Sequence, residues 1–290
     1  MSLPFPQSFT RLTAGGWQLW TDHVYRDGYR IQRHSLSGTW RLLNETNHRI
    51  VTGTREDCLK QLDDLSSKDR WNEIDEPFVV LSHGLLRSSF CMVTLQRDLV
   101  NRGFKRVIRY AYASTRASLA EHGAAFAEFV ESLPFKSKLD FVGHSMGNIV
   151  LRAAVGQWQR EGDPLCLLPR MHRVVMLGPP NQGAMIARRL SQSKIFELVA
   201  GRGAMELGPR WEMIQEKLGT PPCPFAIVAG DRSHDFIWNP LVDGPSDYLV
   251  SVDEAKLLGA SKLYVVPVIH GLMMSNPRVR DITADFLLEK

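Results

Sequence analysis

The chain has 290 residues, 44% hydrophobic and 23% charged, which is enough for a large core in a single α/β domain. Its 35 basic and 31 acidic residues leave a net charge of +4, too small and too dispersed to argue for nucleic acid. No apolar run approaches the roughly 18 residues of a membrane-spanning helix, and Met1 to Gln7 lack the basic and apolar regions of a secretory signal. Cys58, Cys91, Cys166 and Cys223 are widely separated with no Cys-x-x-Cys pair, so they are expected to be buried, reduced thiols in a cytoplasmic protein.

Residues 1–16 read as a leader ending in Gly15-Gly16. Residues 17–53 read as a small antiparallel meander, with Asp27-Gly28 as a two-residue hairpin turn between Trp17-Gln18-Leu19-Trp20 and Tyr29-Arg30-Ile31-Gln32. Trp40 to Leu43 and Arg49 to Thr52 supply its remaining strands. Thr54 then caps a helix with Glu56 and Asp57 in its first turn and an apolar stripe of Cys58, Leu59, Leu62 and Leu65. Ser66 to Glu76 is polar and reads as a linker. The meander interleaves Trp17, Trp20, Tyr25, Tyr29 and Trp40 with Arg26, Arg30, Arg33 and Arg41. Such a face can stack bases, but aromatic residues are favoured in strands anyway. A half-buried sheet with its arginines on the wet face is therefore expected, and no nucleic-acid partner.

From Pro77 strands and helices alternate, which predicts a mostly parallel sheet covered by helices on both faces. Strands are expected at Phe78–Ser82, Arg106–Tyr110, Leu139–Val142, Arg173–Leu177, Phe225–Gly230 and Leu263–Val268. Helices are expected at 91–101, at 119–133 with Ala120, Ala124, Phe126, Ala127 and Val130 inward, after Ser145, and at 277–288. Residues 184–221 break the rhythm with short apolar helical pieces. The resulting division is an extension over 1–75 and a main domain over 76–290 that carries 184–221 as an insertion.

Gly143-His144-Ser145-Met146-Gly147 lies where a strand turns into a helix. A serine in that strained turn needs neighbours without bulk two positions away on either side, and Gly143 and Gly147 meet the need. The pentapeptide alone occurs by chance about 0.1 times in a chain of this length. A serine hydroxyl needs a base to act as nucleophile, and the base needs an orienting acid, in the chain order serine, acid, histidine. His270 directly follows the last strand and is the candidate base. His144 is expected to point away from the site, and His83, His122, His172 and His234 to be structural or solvated. For the acid, Asp247 ranks first because Leu249-Val250-Ser251-Val252 would turn it into the core, with Asp243 second and Asp231 third. Acyl transfer also needs donors for the carbonyl oxygen, each worth about 3 kcal/mol on deletion. The N–H of Met146 and the N–H of Leu85, in the His83-Gly84-Leu85 turn after the first main strand, are the candidates.

On these residues, together with Leu177-Gly178-Pro179-Pro180-Asn181-Gln182-Gly183 and Gly244-Pro245-Ser246-Asp247-Tyr248-Leu249-Val250-Ser251-Val252, the chain over 77–290 resembles the lipase-like serine esterases of the α/β-hydrolase superfamily, in particular the GPI inositol-deacylase-like group. The resemblance implies Ser145, Asp247 and His270 as a catalytic triad, Leu85 and Met146 as the oxyanion hole, and 184–221 as a cap or lid. It selects Asp247 through an Asp-Gly-x-Val segment, from which this chain departs by having Tyr248 in place of glycine. It implies an ester substrate, with Ile186, Leu190, Ile195, Phe196, Leu198, Met205, Leu207 and Met213 forming either an acyl pocket or the insertion's own core. Met273 and Met274 are expected in the core. No metal and no organic cofactor is expected. Amide hydrolysis and acyl transfer would use the same residues. A catalytically silent hydrolase fold, or partner binding by the 17–53 meander, are the readings from other classes.

Overall fold

The computed structural model describes residues 18–191, 194–235 and 239–289. The expectations for 1–17, Trp17 included, and those for the Ile195, Phe196 and Leu198 side chains lie outside the described residues.

The Asp27-Gly28 dipeptide takes left-handed φ values of 50° and 87°, as a tight hairpin between right-twisted strands requires. It joins β1 (Trp20–Arg26) to β2 (Tyr29–His34), and β3 (Trp40–Leu43) and β4 (Arg49–Gly53) complete a four-stranded antiparallel sheet in the order β1-β2-β3-β4. Helix α1 (Arg55–Leu65) starts at a reciprocal cap between Thr54 and Asp57, and it buries Cys58 and Leu62 on the sheet while Leu65 faces solvent. The expected linker 66–76 contains a short helix, α2 (Lys68–Asn72), capped by Ser67. Its Trp71 is buried and donates its indole N–H to the Ser132 carbonyl at 2.9 Å.

The expectation of arginines on the wet face is corrected for three of the four. Arg26, Arg30 and Arg41 are buried and only Arg33 is exposed. Arg26 pairs with Asp63 at 2.6 Å, and Arg41 donates twice to Gln32 Oε1 while its guanidinium lies 3.9 Å from the Trp20 ring centroid. Cation–π and hydrogen-bond partners within the chain absorb the Arg26 and Arg41 guanidinium groups.

The main sheet is six-stranded and parallel, in the order β10-β9-β8-β7-β5-β6. Its strands are β5 (Phe78–Ser82), β6 (Arg106–Tyr110), β7 (Leu139–His144), β8 (Met171–Leu177), β9 (Phe225–Gly230) and β10 (Lys262–Val266). Strand side chains alternate between faces, so two separate apolar layers form. Phe78, Val80, Phe141, Val174 and Met176 pack with helices α4 (Leu119–Glu131) and α5 (Met146–Glu161). Val79, Leu81, Val142, Val175 and Leu177 pack on the opposite face, where helix α3 (Val93–Asn101) contributes Leu95 and Leu99 and the C-terminal helix (Pro277–Leu288) contributes Val279, Ile282, Phe286 and Leu287. In α4 the inward residues include His122, Gly123, Phe126, Ala127 and Val130, whereas Ala120 and Ala124 face solvent. Cys58 is buried as expected, but Cys166 is exposed, and all four thiols are free.

Among its described residues the insertion over 184–221 holds three helices, α6 (Met185–Leu190), α7 (Lys194–Leu207) and α8 (Trp211–Gln215). Helix α7 is interrupted at Gly201, φ 75°, where a Cβ would stand 2.0 Å from the Thr115 carbonyl oxygen. The helix therefore lies directly against the 111–116 segment that follows β6.

Candidate active site

Strand β7 ends at His144 and α5 begins at Met146, which leaves Ser145 alone in the turn with φ 54° and ψ −126°. A non-glycine residue in this region is strained and persists only where its surroundings fix it. The fixing groups are close. Ser145 N–H donates to the Leu177 carbonyl at 2.8 Å, and the Ser145 carbonyl accepts from the N–H of Asn148 at 3.0 Å and from its side-chain amide at 3.1 Å. A Cβ on Gly143 would stand 2.2 Å from Asn148 Oδ1, and one on Gly147 2.6 Å from the His83 carbonyl. The two glycines are thus required by contact.

Asp247 is fully buried. Its Oδ1 accepts the N–H groups of Leu249 at 3.0 Å and Val250 at 2.8 Å, and its Oδ2 accepts from His270 Nδ1 at 2.7 Å. The His270 main-chain N–H also donates to the Asp247 carbonyl at 3.0 Å. A carboxylate on Nδ1 fixes the tautomer, leaving Nε2 unprotonated and able to accept a proton. Neighbouring residues frame the ring: a Cβ on Gly178 would stand 3.0 Å from it, and the His144 ring centroid is 4.7 Å away. Tyr248, standing where the resemblance has glycine, adopts φ 78°. The unusual residue is anchored at both ends, its hydroxyl donating to Asp235 at 2.5 Å and its carbonyl accepting from Asn239 at 2.6 Å. The other two aspartates are engaged elsewhere. Asp243 pairs with Arg189 at 3.0 Å, and Asp231 accepts the Ser233 N–H at 2.8 Å.

The turn after β5 is held from several directions. Tyr112 N–H donates to His83 Nε2 at 3.4 Å, so Nδ1 carries the proton and donates to the Gly84 carbonyl at 2.9 Å. The Tyr112 hydroxyl donates to the His83 carbonyl at 2.7 Å, and the two rings stack at 4.4 Å. Burial lowers the His83 pKa to about 4, so the ring is neutral. Gly84 allows the turn to touch the elbow, since a Cβ there would lie 2.9 Å from the Ser145 Cβ. The N–H of Leu85 has no hydrogen-bond partner among the described residues. The N–H of Met146 is the first of α5 and has no intrahelical acceptor.

Ser145 and His270 open onto one cavity of about 250 Å³, walled by Leu85, Leu86, Pro180, Ile186, Leu190 and Leu207. Among the described residues no hydrogen bond joins the side chains of Ser145 and His270. Catalytic contacts are often long before substrate binds. Among the described residues, six apolar residues of the insertion line this cavity, Ile186, Leu190 and Leu207 with Ala184, Ala187 and Ala204, while Met213 is exposed. Met273 and Met274 are buried in the core. His144 does not point away from the site, because it lines the cavity and its Nε2 donates to the His270 carbonyl at 3.0 Å. Desolvation, with the nearby His270, pushes its pKa well below the usual value and keeps it neutral. A second hollow of about 350 Å³ lies between the small sheet and α4, but it is polar and holds neither Ser145 nor His270. Tyr112, Ser114 and Gln18, which support the turn after β5, carry no motif that the sequence alone would flag.

This assembly, a parallel sheet with a serine elbow after one strand and a histidine beyond the last, is the α/β-hydrolase fold. Among solved structures the chain is similar to the mature form of Bacillus licheniformis lipase BlEst2, with 16% identity over 74% of this chain and 94% of that one at a TM-score of 0.59. Phospholipase PlaB from Legionella pneumophila matches with 15% identity over 75% of this chain and 60% of that one, TM-score 0.57. The metagenomic carboxyl esterase MGS0156 matches with 18% identity over 67% and 64%, TM-score 0.51. No protein-family model matches the sequence, and no curated protein does. Among the described residues no group of three or more histidine, cysteine, aspartate or glutamate side chains could hold a metal ion, and no helix is long and apolar enough to cross a membrane.

Proposed function

We propose that the chain is a serine hydrolase of carboxylic esters. Ser145 attacks the ester carbonyl as His270 Nε2 takes its proton, and Asp247 holds the imidazole in the required tautomer and stabilises the imidazolium. The N–H groups of Leu85 and Met146 receive the developing oxyanion. His270 returns the proton to the leaving alcohol, and water then releases the acyl group from Ser145 by the reverse sequence. The observation that carries this reading is the 2.7 Å bond from His270 Nδ1 to a fully buried Asp247, at the wall of the cavity that also exposes the strained Ser145. Lipase, phospholipase and carboxyl esterase activity among the fold neighbours supports it.

The cavity's apolar walls favour an acyl chain. At about 30 Å³ per water-sized group, 250 Å³ holds on the order of eight such groups, which suits short to medium chains. Amide hydrolysis or transfer to another alcohol would use the same residues, and a panel of esters, amides and acceptor alcohols separates them. The decisive test is labelling with a fluorophosphonate, peptide mapping, and Ser145→Ala as control. Label on Ser145 that the substitution abolishes supports the mechanism. Folded protein that takes no label and turns over no ester would point instead to a silent scaffold.

A further inference from the structure

Residues before 77 fall outside the resemblance, yet the first described residue reaches the turn that carries Leu85. Gln18 Nε2 donates to the Arg87 carbonyl at 2.7 Å and to Ser114 Oγ at 3.0 Å. Gln18 Oε1 accepts from Ser114 Oγ at 3.1 Å, Thr115 N–H at 3.2 Å and Thr115 Oγ1 at 3.1 Å. Ser114 Oγ also accepts the Leu86 N–H at 3.0 Å. One amide therefore ties the turn after β5 to the segment after β6, and it does so from a left-handed backbone, φ 54°. The carbonyls of His83 and Gly84, the N–H of Leu86 and both main-chain groups of Arg87 are engaged, while the Leu85 N–H between them has no partner among the described residues. A peptide whose neighbours are all fixed is a preorganised donor.

Strand β1, which begins two residues after Gln18, grips the segment after β6 as well. Asp22 N–H donates to the Ala111 carbonyl at 2.8 Å, the Ala111 N–H returns to Asp22 Oδ2 at 2.8 Å, and the Ala113 N–H donates to Thr21 Oγ1 at 3.2 Å. The far side of that segment, at Thr115, presses on Gly201 of the insertion. We infer that Gln18 is a positioning residue for catalysis, and that the N-terminal sheet is a working part of the oxyanion hole. The inference rests on the hydrolase reading above. Gln18 acts through the turn that carries Leu85, and Leu86 and Arg87 of that turn also line the cavity, so a fall in kcat reports a misplaced donor and a rise in KM a displaced cavity wall.

The test uses the full chain and compares wild type with Gln18→Ala, Gln18→Glu and Ser114→Ala. For each, kcat and KM on a short-chain ester are measured beside the inhibition constant of a trifluoromethyl ketone that mimics the oxyanion, and a thermal melt. Loosening a donor by a fraction of an ångström lowers kcat by about tenfold or more, with KM within about twofold. Affinity for the ketone falls in parallel with kcat, which a merely structural role would not produce. Glutamate cannot donate to the Arg87 carbonyl, so Gln18→Glu is expected to behave like Gln18→Ala. Ser114→Ala breaks the same bridge from the opposite side if either Gln18 variant fails to fold. An active wild type with all three variants unchanged in kcat and ketone affinity overturns the inference alone. A wild type that hydrolyses no ester and takes no label at Ser145 overturns the hydrolase reading and this inference with it.

Discussion

Replacing Asp247 by asparagine keeps size and shape and changes one donor–acceptor assignment. Oδ1 faces two N–H groups, those of Leu249 and Val250. Only an oxygen satisfies them, so the asparagine amide must place its NH2 where Oδ2 now meets His270 Nδ1. Two donors then face each other unless His270 moves its proton to Nε2. That tautomer cannot accept the Ser145 proton. The expected loss in kcat is about 10⁴-fold, or about 5.5 kcal/mol of transition-state stabilisation. The fold should lose little, since both main-chain bonds to Oδ1 survive and only one side-chain bond is remade, on the order of 1 kcal/mol. The assay is initial-rate ester hydrolysis at pH 7.5 with a urea melt alongside. An Asp247→Asn enzyme within tenfold of wild type would refute the argument. A crippled Asp243→Asn beside it would move the acid to the residue that pairs with Arg189.

Burial holds His83 and His122 at pKa values of about 4, below the ordinary 6.5. The unfolded chain therefore takes up protons first, so their contribution is complete above about pH 6.5 and is lost as pH falls toward 4, on the order of 3 kcal/mol per histidine. Urea midpoints at pH 7.5 and 4.5 measure it, and a midpoint flat across that window would contradict it. At Tyr248, φ 78° favours glycine over any residue with a Cβ, so Tyr248→Gly should melt at least about 2 °C above Tyr248→Ala. Equal melting temperatures would show that the backbone there is not strained. Ile186 walls the cavity, and Ile186→Trp should lower kcat/KM for an eight-carbon acyl ester relative to a four-carbon one by roughly tenfold. An unchanged ratio would place the acyl chain elsewhere.

What the sequence made legible was local or periodic. Alternating apolar segments located the six main strands, Asp27-Gly28 located the hairpin, and the glycines around Ser145 located the elbow, because each depends on residues within a few positions. The elements that were misread depend on distant partners. Five residues of α2 carry no period, and Trp71 is buried there by the Ser132 carbonyl, 61 positions on, and by the rings of Tyr25 and Phe78. Arg26 and Arg41 look like surface cations until Asp63, Gln32 and Trp20 surround them. Asp231, Asp243 and Asp247 are alike by sequence order, and what separates them is Arg189 and His270 arriving at Asp243 and Asp247 from other elements, while Asp231 keeps a local bond to Ser233. His144 was misplaced for the same reason, since its partner is a carbonyl 126 residues away.

The small N-terminal sheet has a consequence for the order in which the protein takes shape. Its strands pair only with neighbours in sequence, so the sheet and α1 can close while the rest of the chain is still being made. Its docking face is finished before its partners exist. Thr21, Asp22 and Tyr25 find theirs at Ala113, Ala111 and Ser132, which follow 92, 89 and 107 residues later. Until synthesis passes that point, the Asp22 carboxylate, bonded within the sheet to Gln32 at 2.6 Å, lacks the Ala111 N–H that completes its burial. The topology therefore allows the small sheet to act as a template onto which β6 and α4 dock.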